Sequence, residues 1–388
     1  MQNGRMHMNK KIIPLSVPNL KGKELEYVTE AVKTEWVSTA GPYITDFEKA
    51  IINYVNVEAA AACQSGTSGL HLSLMALGIQ GGEEVIVPTL TFIAAVNPVK
   101  YLGAEPVFMD CDDTLTLDPI KLQKFCEEEC EVHEERLIHK STHKRITAII
   151  VVHVFGNLAD MVSIMEIAHK YHLKVLEDAT ESLGSFYVSG KYAGKYAGTI
   201  GDMGVYSFNG NKIITTGGGG MIVSNEKSLV ERSRFLSTQA KADKIYFVHE
   251  EIGYNYRMTN LQAALGLAQL EQLEEFIKIK KANYDLYQKD GINLLPFRSD
   301  IRSNYWFYSH LTENRDGLIQ YLNEHNIQSR PIWQLIHTLK PYQNSLKYKI
   351  EKALWYYDRV VNIPCSSNLQ SKEVDQISEL IKKYEEDI

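Results

Sequence analysis

The stretch GDMGVYSFNGNKIITTGGGGMIVSN, residues 201–225, places a single lysine, Lys212, between two β-branched runs that predict strands. Four consecutive glycines, Gly217 to Gly220, follow soon after the lysine and let the backbone pass close to a bulky group. A lysine amine that is held in a confined pocket condenses with a carbonyl group to form a Schiff base. Lys212 is therefore a candidate catalytic residue, although a glycine-rich hairpin can equally carry an ordinary surface lysine.

Around this stretch, short β-branched runs alternate with helical patterns, which is typical of an α/β fold with a mostly parallel sheet covered by helices. Apolar spacing predicts helices over residues 68–77 and 161–171. In such a doubly wound sheet, ligands bind beyond the carboxyl ends of the strands, so polar residues at those ends are candidates for a site. The predicted strands are residues 85–87, 106–109, 148–154, 174–177, 204–208 and 221–223.

The length of 388 residues predicts one large and one smaller domain, because a single hydrophobic core usually stops growing at about 250–300 residues. We expect residues 1–11 to be a disordered tail and residues 12–258 to form the large, ligand-binding domain. A long helix over 260–284 would then introduce the smaller C-terminal α/β domain, residues 259–388, with helices near 317–325 and from residue 371.

Composition excludes several classes of function. A net charge of -7 argues against nucleic acid as the main partner, because such binding needs a basic face. No apolar run approaches the roughly 18 residues that would span a bilayer, so we expect no membrane role. The five cysteines are scattered and odd in number, which favours a reducing cytoplasm over a disulfide framework.

The segment CEEECEVHEERLIHKSTHKR, residues 126–145, is dense in charge and interrupts the strand and helix pattern. On a helix, Cys126, Cys130 and His133 would share one face, which raises the possibility of a metal site. Their spacing matches no standard structural zinc pattern, however, so we expect a solvated helix and loop and no metal.

A second motif, QSGTSGLHLSL at residues 64–74, predicts a phosphate cradle. Gly66, Thr67 and Ser68 open a helix directly after the apolar run 59–63, so free N–H groups and hydroxyls converge where an anion could bind. The motif lacks the spacing of a nucleotide P-loop. An ordinary serine or threonine helix cap is the alternative interpretation.

A third motif, VLEDATESLGS at residues 175–185, places Asp178 at the end of a strand that should be buried on both faces. A buried carboxylate needs a cationic partner, and a protonated pyridine nitrogen would serve as one. The alternative is that Asp178 caps a following helix. A phosphate cradle, a strand-end aspartate and a later Schiff-base lysine are together the parts needed to hold pyridoxal phosphate.

With these motifs in place, the sequence resembles the DegT/DnrJ/EryC1/StrS family of sugar aminotransferases, through the pattern GD-x-G-x-x-SF-x-x-x-K-x-x-x-x-G-x-GG. The resemblance implies a fold type I, aspartate-aminotransferase-like structure that binds pyridoxal 5'-phosphate, and a homodimer with shared active sites. It implies that Lys212 binds the cofactor aldehyde, that Asp178 pairs with the ring nitrogen, and that Gly66, Thr67 and Ser207 bind the phosphate.

The resemblance also suggests further cofactor ligands, each with an ordinary structural alternative. Phe92 is similar to the aromatic residue that stacks on the cofactor ring, although it could simply pack in the core. Glu181 stands where many members carry glutamine or histidine near the phenolic oxygen. Asn255 matches the residue that reaches across the dimer to the phosphate, and Arg257 nearby could instead be a structural pair partner.

The substrate expectation comes from finer features. The family often has TGEGG after the lysine, where this chain has Gly218 in place of the glutamate. This form, with residues 36–48 and 153–161, resembles the branch that acts on 4-keto-6-deoxy-N-acetylglucosamine nucleotides and feeds bacillosamine or legionaminic acid synthesis. L-Glutamate would be the donor, and UDP or GDP the carrier. Ser38, Arg330 and His337 are candidate substrate ligands, with exposed surface positions as the alternative.

Three rival functions stay open at the level of sequence. Some relatives are dehydratases that carry histidine in place of Lys212, so the lysine argues against that chemistry. A catalytically silent regulator that kept the fold is disfavoured by the intact Lys212, Asp178 and Ser207. The third rival is a pyridoxal enzyme that eliminates a group from an amino acid and releases a keto acid without any sugar.

Overall fold

The computed structural model describes residues 12–243 and 245–387. Its helices are α1 Glu24–Lys33, α2 Pro42–Val55, α3 Gly66–Ala76, α4 Asn97–Tyr101, α5 Pro119–Glu128, α6 Met161–Lys170, α7 Lys227–Ser237, α8 Asn260–Leu270, α9 Leu273–Lys289, α10 Arg315–Glu324, α11 Lys352–Arg359 and α12 Ser371–Glu386. Its strands are β1 Ala59–Cys63, β2 Glu84–Pro88, β3 Glu105–Met109, β4 Cys130–His133, β5 Arg136–His139, β6 Arg145–Val152, β7 Lys174–Asp178, β8 Phe186–Tyr187, β9 Met203–Ser207, β10 Gly220–Ser224, β11 Lys241–Asp243, β12 Val248–His249, β13 Ile301–Arg302, β14 Tyr308–Leu311, β15 Arg330–Pro331, β16 Leu346–Tyr348 and β17 Val360–Ile363.

The main sheet has the strand order β1-β10-β9-β7-β6-β2-β3-β16, and the hairpin of β4 and β5 pairs with the start of β6. The strands from β9 to β16 in this order run parallel to their neighbours. At the other edge, β10 is antiparallel to both β9 and β1. The expected α/β architecture with a mostly parallel sheet is confirmed.

Alternate side chains of the central strands enter hydrophobic clusters on opposite faces of this sheet. Val85 and Val87 belong to one cluster, whereas Ile86 between them belongs to the other. Ile150 and Ile149 divide in the same way. Strands that are buried on both faces read as continuous apolar runs, which is why such short runs predict them well.

All six predicted strands coincide with strands of this sheet, with differences at two carboxyl ends. The run 204–208 extends one residue beyond Ser207, the last residue of β9. The run 148–154 was expected to be strand throughout, but β6 ends at Val152 and a short 3-10 turn covers Val154–Gly156. Phe155 in this turn has a φ of 56°, in the left-handed region that a bulky residue rarely adopts. The chain therefore turns sharply where the strand leaves the sheet.

The prediction of one long helix over 260–284 is wrong. The chain forms α8 and α9 instead, with a break at Glu271 and Gln272. At this break the N–H of Gln272 donates to the carbonyl of Gln269, three residues back, at 3.1 Å. The side-chain amide of Gln272 also donates to Glu24 of α1 at 2.6 Å. Contacts with α1 accompany the break, and helical periodicity does not reveal them.

The prediction of a helix and loop over residues 126–145 is also wrong. Cys126 lies in α5, but Cys130 and His133 are the first and last residues of β4. The three side chains therefore share no helical face. β4 and β5 form an antiparallel hairpin, and the buried Leu137 of β5 lies opposite Ile146 of β6. Among the residues that the structure describes, no group of histidine, cysteine or acidic side chains could hold a metal ion.

The C-terminal region builds a smaller antiparallel sheet of β14, β17 and β15, against which α10 packs. β16 from the same region instead extends the main sheet beside β3. The domain boundary at residue 258 stays a prediction, and residues 1–11 lie outside the described residues. None of the described helices is both long enough and apolar enough to cross a membrane.

Candidate active site

The N-terminus of α3 opens into a cavity of about 670 Å³ at the carboxyl ends of the central strands. Ser65 caps the helix, because its hydroxyl accepts a hydrogen bond from the N–H of Ser68 at 3.1 Å. The N–H groups of Gly66 and Thr67 precede the first intrahelical bond, and both residues line the cavity. The helix cap is therefore observed, and the free N–H groups beside it are suited to an anion, so the two sequence interpretations are compatible; phosphate binding stays a prediction.

Gly66 allows α3 to approach two other chain segments closely. A Cβ atom at this position would lie 2.9 Å from Cβ of Ser207 and 3.0 Å from Cγ2 of Thr180. Ser207, at the end of β9, and Thr180, just after β7, also line the cavity. A side chain at residue 66 would therefore push apart the groups that close around the helix terminus.

Asp178 is the buried last residue of β7 and lines the same cavity. Its Oδ1 accepts a hydrogen bond from the N–H of Thr180 at 3.1 Å. Turns follow the strand and no helix begins there, so the side chain does not cap one. Burial raises the pKa of Asp178, although the bonds from Thr180 and the charge of Lys212 oppose that rise. Such a carboxyl group is stabilised as the anion by a cationic ligand.

Lys212 lies in the loop between β9 and β10, and its side chain is only 13% exposed. Its Nζ is 3.7 Å from Oε1 of Glu181 and 4.1 Å from the ring centre of Trp306. Burial lowers the pKa of the amine, and the nearby Glu181 and Asp178 partly offset that effect. A lower pKa increases the fraction of neutral amine, which is the nucleophilic form. Lys212 is therefore no surface lysine.

Glu181 is a buried carboxyl group between Lys212 and the turn after β6. Its Oε2 accepts a hydrogen bond from the N–H of Phe155 at 2.9 Å. Its main-chain carbonyl accepts one from the side-chain amide of Asn304, also at 2.9 Å. Burial raises the pKa of Glu181 to about 7, because it outweighs the attraction of Lys212. The carboxyl group therefore titrates near neutral pH beside the amine.

Two further predicted residues reach the cavity. Phe92 and Arg330 both line it. Phe92 is 54% exposed, so it is not a core residue in this chain and its ring is free to contact a ligand. Arg330 is exposed at the start of β15 and contributes a permanent positive charge.

Ser38 and His337 do not line the cavity. Ser38 is exposed, and its carbonyl accepts a hydrogen bond from the N–H of Asn260 at 2.6 Å. His337 is buried, with Nδ1 2.6 Å from the hydroxyl of Thr89. Burial also lowers the pKa of His337, which disfavours a charged imidazolium for a phosphate. Their roles as substrate ligands stay predictions that the single chain does not support.

Asn255 is exposed and lies outside the cavity of its own chain. Its Oδ1 accepts hydrogen bonds from two guanidinium nitrogens of Arg257 at 3.4 Å. Arg257 therefore pairs within its own chain, which agrees with its interpretation as a structural partner. The position agrees with a residue that acts on another subunit, and this role stays a prediction.

Sequence reasoning missed the aromatic wall of the cavity. Phe155, Trp306, Phe307 and Trp333 all line it, and the ring centres of Phe155 and Trp333 are 4.7 Å apart. The run SNYWFYSHL, residues 303–311, signals an aromatic-rich segment, but nothing in its spacing connects it to Lys212. Contacts between residues some 90 positions apart bring them together, since Nε1 of Trp306 donates to the carbonyl of Asn211 at 2.8 Å.

The cavity residues fit pyridoxal phosphate by the chemistry of their donor groups. The N–H groups of α3 and the Ser207 hydroxyl suit its phosphate, the buried Asp178 suits a protonated ring nitrogen, and Lys212 suits its aldehyde. The cavity also exceeds the lower end of volumes typical of small-molecule sites, about 300 Å³. Fold and site together define a fold type I enzyme that depends on pyridoxal phosphate.

Comparisons with known proteins agree with this class. The sequence profile of the DegT/DnrJ/EryC1/StrS aminotransferase family matches residues 18–382, so the chain belongs to this family of pyridoxal-phosphate-dependent sugar aminotransferases. GDP-perosamine synthase of Escherichia coli O157:H7 is 40% identical over 384 residues, which cover 97% of this chain and 100% of that protein. GDP-perosamine synthase of Caulobacter vibrioides is 37% identical over 377 residues, 94% of this chain and 96% of that one. A family aminotransferase from Brucella abortus, known from its crystal structure, matches with a TM-score of 0.85 and 27% identity, and covers 94% of this chain and 95% of its own.

Gly66→Ala tests the close approach at the phosphate cradle. We expect the dissociation constant for pyridoxal phosphate to rise by about tenfold or more, because the new Cβ displaces Ser207 or Thr180 from the helix terminus. Absorbance titration of the purified protein measures it. Gly210→Ala is the matched control, because a Cβ there would meet nothing within 4 Å. Equal affinity in the two variants would contradict the expected role of Gly66.

Glu181→Gln tests the raised pKa of that carboxyl group through the pH dependence of stability. Between about pH 4.5 and 7, Glu181 holds a proton in the folded protein but not in the unfolded chain. The wild-type free energy of unfolding should therefore fall as pH rises through this window, by up to about 3 kcal/mol. Urea unfolding of the cofactor-free protein at several pH values measures this pH dependence. Glu181→Gln should lose the decrease in unfolding free energy between pH 4.5 and 7. Glu166→Gln, at an exposed site, should keep it. Parallel slopes for all three proteins would refute the assignment.

Proposed function

We propose that this chain transfers the amino group of L-glutamate to the 4-keto carbon of a nucleotide-linked 4-keto-6-deoxy sugar. The observation that carries the proposal is the convergence of the Lys212 amine with the buried carboxyl groups of Glu181 and Asp178 in one cavity. Membership of the sugar aminotransferase family supplies the reaction class. An intact Lys212 disfavours the dehydratase alternative, and the presence of Lys212, Asp178 and Ser207 in one cavity disfavours a silent regulator.

Two keto sugars are candidates within this class. The first is 4-keto-6-deoxy-N-acetylglucosamine on UDP or GDP, which the resemblance of residues 36–48 and 153–161 supports. The second is the nucleotide-linked keto sugar from which GDP-perosamine would be formed, which the names of two relatives at 40% and 37% identity favour. Both would present a keto group to the amine, so one arrangement of Lys212 would serve either.

Gly218 affects the space that the cavity offers to the sugar. Gly218 lines the cavity, and a Cβ atom there would meet only the side-chain amide of Gln262, at 3.9 Å. The wall therefore has room where the family pattern TGEGG has a glutamate side chain. Arg330 at the same cavity would pair with the diphosphate that links the sugar to its nucleotide.

Bound pyridoxal phosphate supplies an aldehyde that accepts the amino group and a ring that takes up electrons. Asp178 would hold the ring nitrogen protonated, and Phe92 would contact the ring face. Lys212 Nζ would take up the proton that leaves the α-carbon of glutamate, and later give a proton to the former keto carbon of the sugar. Since Lys212 reaches the cavity from one side, it would deliver that proton to one face and set the configuration of the amine.

A homodimer with shared active sites is part of the proposal. Asn255 is exposed and contributes nothing to the cavity of its own chain. It follows the hairpin of β11 and β12, in which Ile245 and Tyr246 are exposed, and Ile252 just after the hairpin is exposed as well. Such a surface is typical of a contact with another protein chain, and a second copy would bring Asn255 to the neighbouring cavity.

We propose a cytoplasmic location for the protein and a role in polysaccharide synthesis. The five cysteines are free and buried, which fits a reducing cytoplasm. The amino sugar would serve polysaccharide synthesis, as bacillosamine, legionaminic acid or perosamine.

The function is tested by incubating the purified protein with L-glutamate and each candidate 4-keto nucleotide sugar. We expect release of 2-oxoglutarate and a sugar product about 1 Da heavier than the ketone, the difference between C=O and CH–NH₂, by mass spectrometry. Lys212→Ala should form neither product, because it lacks the amine that moves the protons. Keto-acid release without any sugar that continues beyond one equivalent per site would instead support the elimination rival, because transamination alone stops after one turnover. A wild-type protein that aminates neither sugar would exclude both candidates.

Complementation tests the shared site. Lys212→Ala and Asn255→Ala should each have low activity alone. After the two are mixed and allowed to exchange subunits, half of the dimers are mixed and each of these has one intact site, so about a quarter of wild-type activity should return. Activity of the mixture that equals the mean of the separate variants would show that Asn255 acts within its own chain or not at all.

A further inference from the structure

The indole of Trp306 contacts two consecutive residues of the lysine loop. Its Nε1–H donates to the carbonyl of Asn211 at 2.8 Å, and its ring centre lies 4.1 Å from Nζ of Lys212. Trp306 is only 3% exposed. One side chain from the C-terminal region therefore holds the backbone just before Lys212 and covers one side of its amine.

The segment that carries Trp306 also binds the turn that presents Glu181. The side-chain amide of Asn304 donates to the carbonyls of Glu181 and Leu183 at 2.9 Å and 3.0 Å. Its Oδ1 accepts a hydrogen bond from the N–H of Trp306 at 3.0 Å. Asn304 thus connects the indole to the turn of Glu181, so the ring and the carboxyl group that both lie near the Lys212 amine belong to hydrogen-bonded backbone segments.

We propose that Trp306 is a positioning residue that holds the Lys212 amine beside Glu181 whenever the amine is not bonded to the cofactor. The inference rests on the role of Lys212 in the proposed function. An aromatic face attracts an ammonium group more than a neutral amine, and most strongly where water is excluded. Trp306 therefore keeps the amine in place, and it partly offsets the loss of solvation that disfavours the protonated form.

Core packing alone would also bury a tryptophan, but packing and positioning require different properties of the side chain. Packing requires an apolar side chain of similar size, whereas positioning requires both the ring face and the Nε1–H. Trp306→Phe keeps a ring and loses the hydrogen bond to Asn211, and Trp306→Leu loses both. Trp355→Leu is the matched control, because Trp355 is 45% exposed and its ring lies 4.7 Å from the Arg359 guanidinium on α11.

The test follows the recombination of the full-length protein, freed of its cofactor, with pyridoxal phosphate across a range of pH. Only the neutral amine attacks the aldehyde, so the rate rises through the pKa of Lys212. We expect Trp306→Leu to move the midpoint about one pH unit lower, because the ammonium form loses the ring. The limiting rate should fall about tenfold in Trp306→Leu and about threefold in Trp306→Phe, corresponding to roughly 1.4 and 0.7 kcal/mol of lost positioning.

Trp355→Leu should match the wild type in both midpoint and rate. The proposal is wrong if both Trp306 variants keep the wild-type midpoint and rate, or if only the equilibrium affinity for pyridoxal phosphate changes. If Trp306→Leu does not fold, Trp306→Phe still tests the proposal, because it conserves an aromatic ring and lacks the hydrogen bond to Asn211. No glutamate or sugar enters this measurement, so failure of the proposed substrates leaves the result for Trp306 intact, and the reverse holds as well.

Discussion

Removal of water from one amine and two carboxyl groups at the carboxyl ends of β7 and β9 is the constraint on which the rest of this structure depends. Burial lowers the pKa of Lys212 and raises the pKa of Asp178 and Glu181, so each group is driven toward its neutral form. The attraction between the Lys212 amine and the two carboxyl groups opposes these pKa shifts without cancelling them. The result is a site in which the Glu181 carboxyl titrates near neutral pH and in which a cationic ring would stabilise the Asp178 anion.

Holding such groups in place requires a rigid scaffold, and a third buried acidic side chain provides part of it. Glu177, next to Asp178, accepts hydrogen bonds from the N–H groups of Gly198, Ile200 and Gly201 at 2.8, 2.6 and 2.5 Å. Its Oε2 also lies 2.8 Å from Nε2 of His153, and both side chains are fully buried. Because His153 Nδ1 accepts from the N–H of Ala159, the Nε2 of this imidazole is the donor to Glu177. β6, β7 and the entry to β9 are thereby joined just behind the site.

Fold class and the centre of the site were predictable because they depend on local chemistry. The runs 85–87 and 174–177 read as strands because each is buried on both faces of the sheet. Gly66, Thr67, Asp178 and Lys212 were found because each follows an identifiable strand end or opens a helix. The family resemblance added Glu181 and Ser207, and the cavity brings all six together. By contrast, the break at Gln272 and the hairpin over 130–139 were missed, since pairing with α1 and with β6 determines them.

The predicted residue that lies outside the cavity and the cavity residue that the sequence did not single out share one cause. His337 carries the right chemistry for a phosphate, but its ring is buried against Thr89 outside the cavity. Trp306 had no apparent role in the sequence, although its ring lies against the amine of Lys212. The sequence by itself determined the parallel sheet, the phosphate cradle and the lysine, because alternation, helix capping and glycine placement act over a few neighbouring residues. Only the tertiary structure decided which distant side chains surround the amine, because burial and contact across some 90 residues arise from packing and leave no periodic trace in the chain.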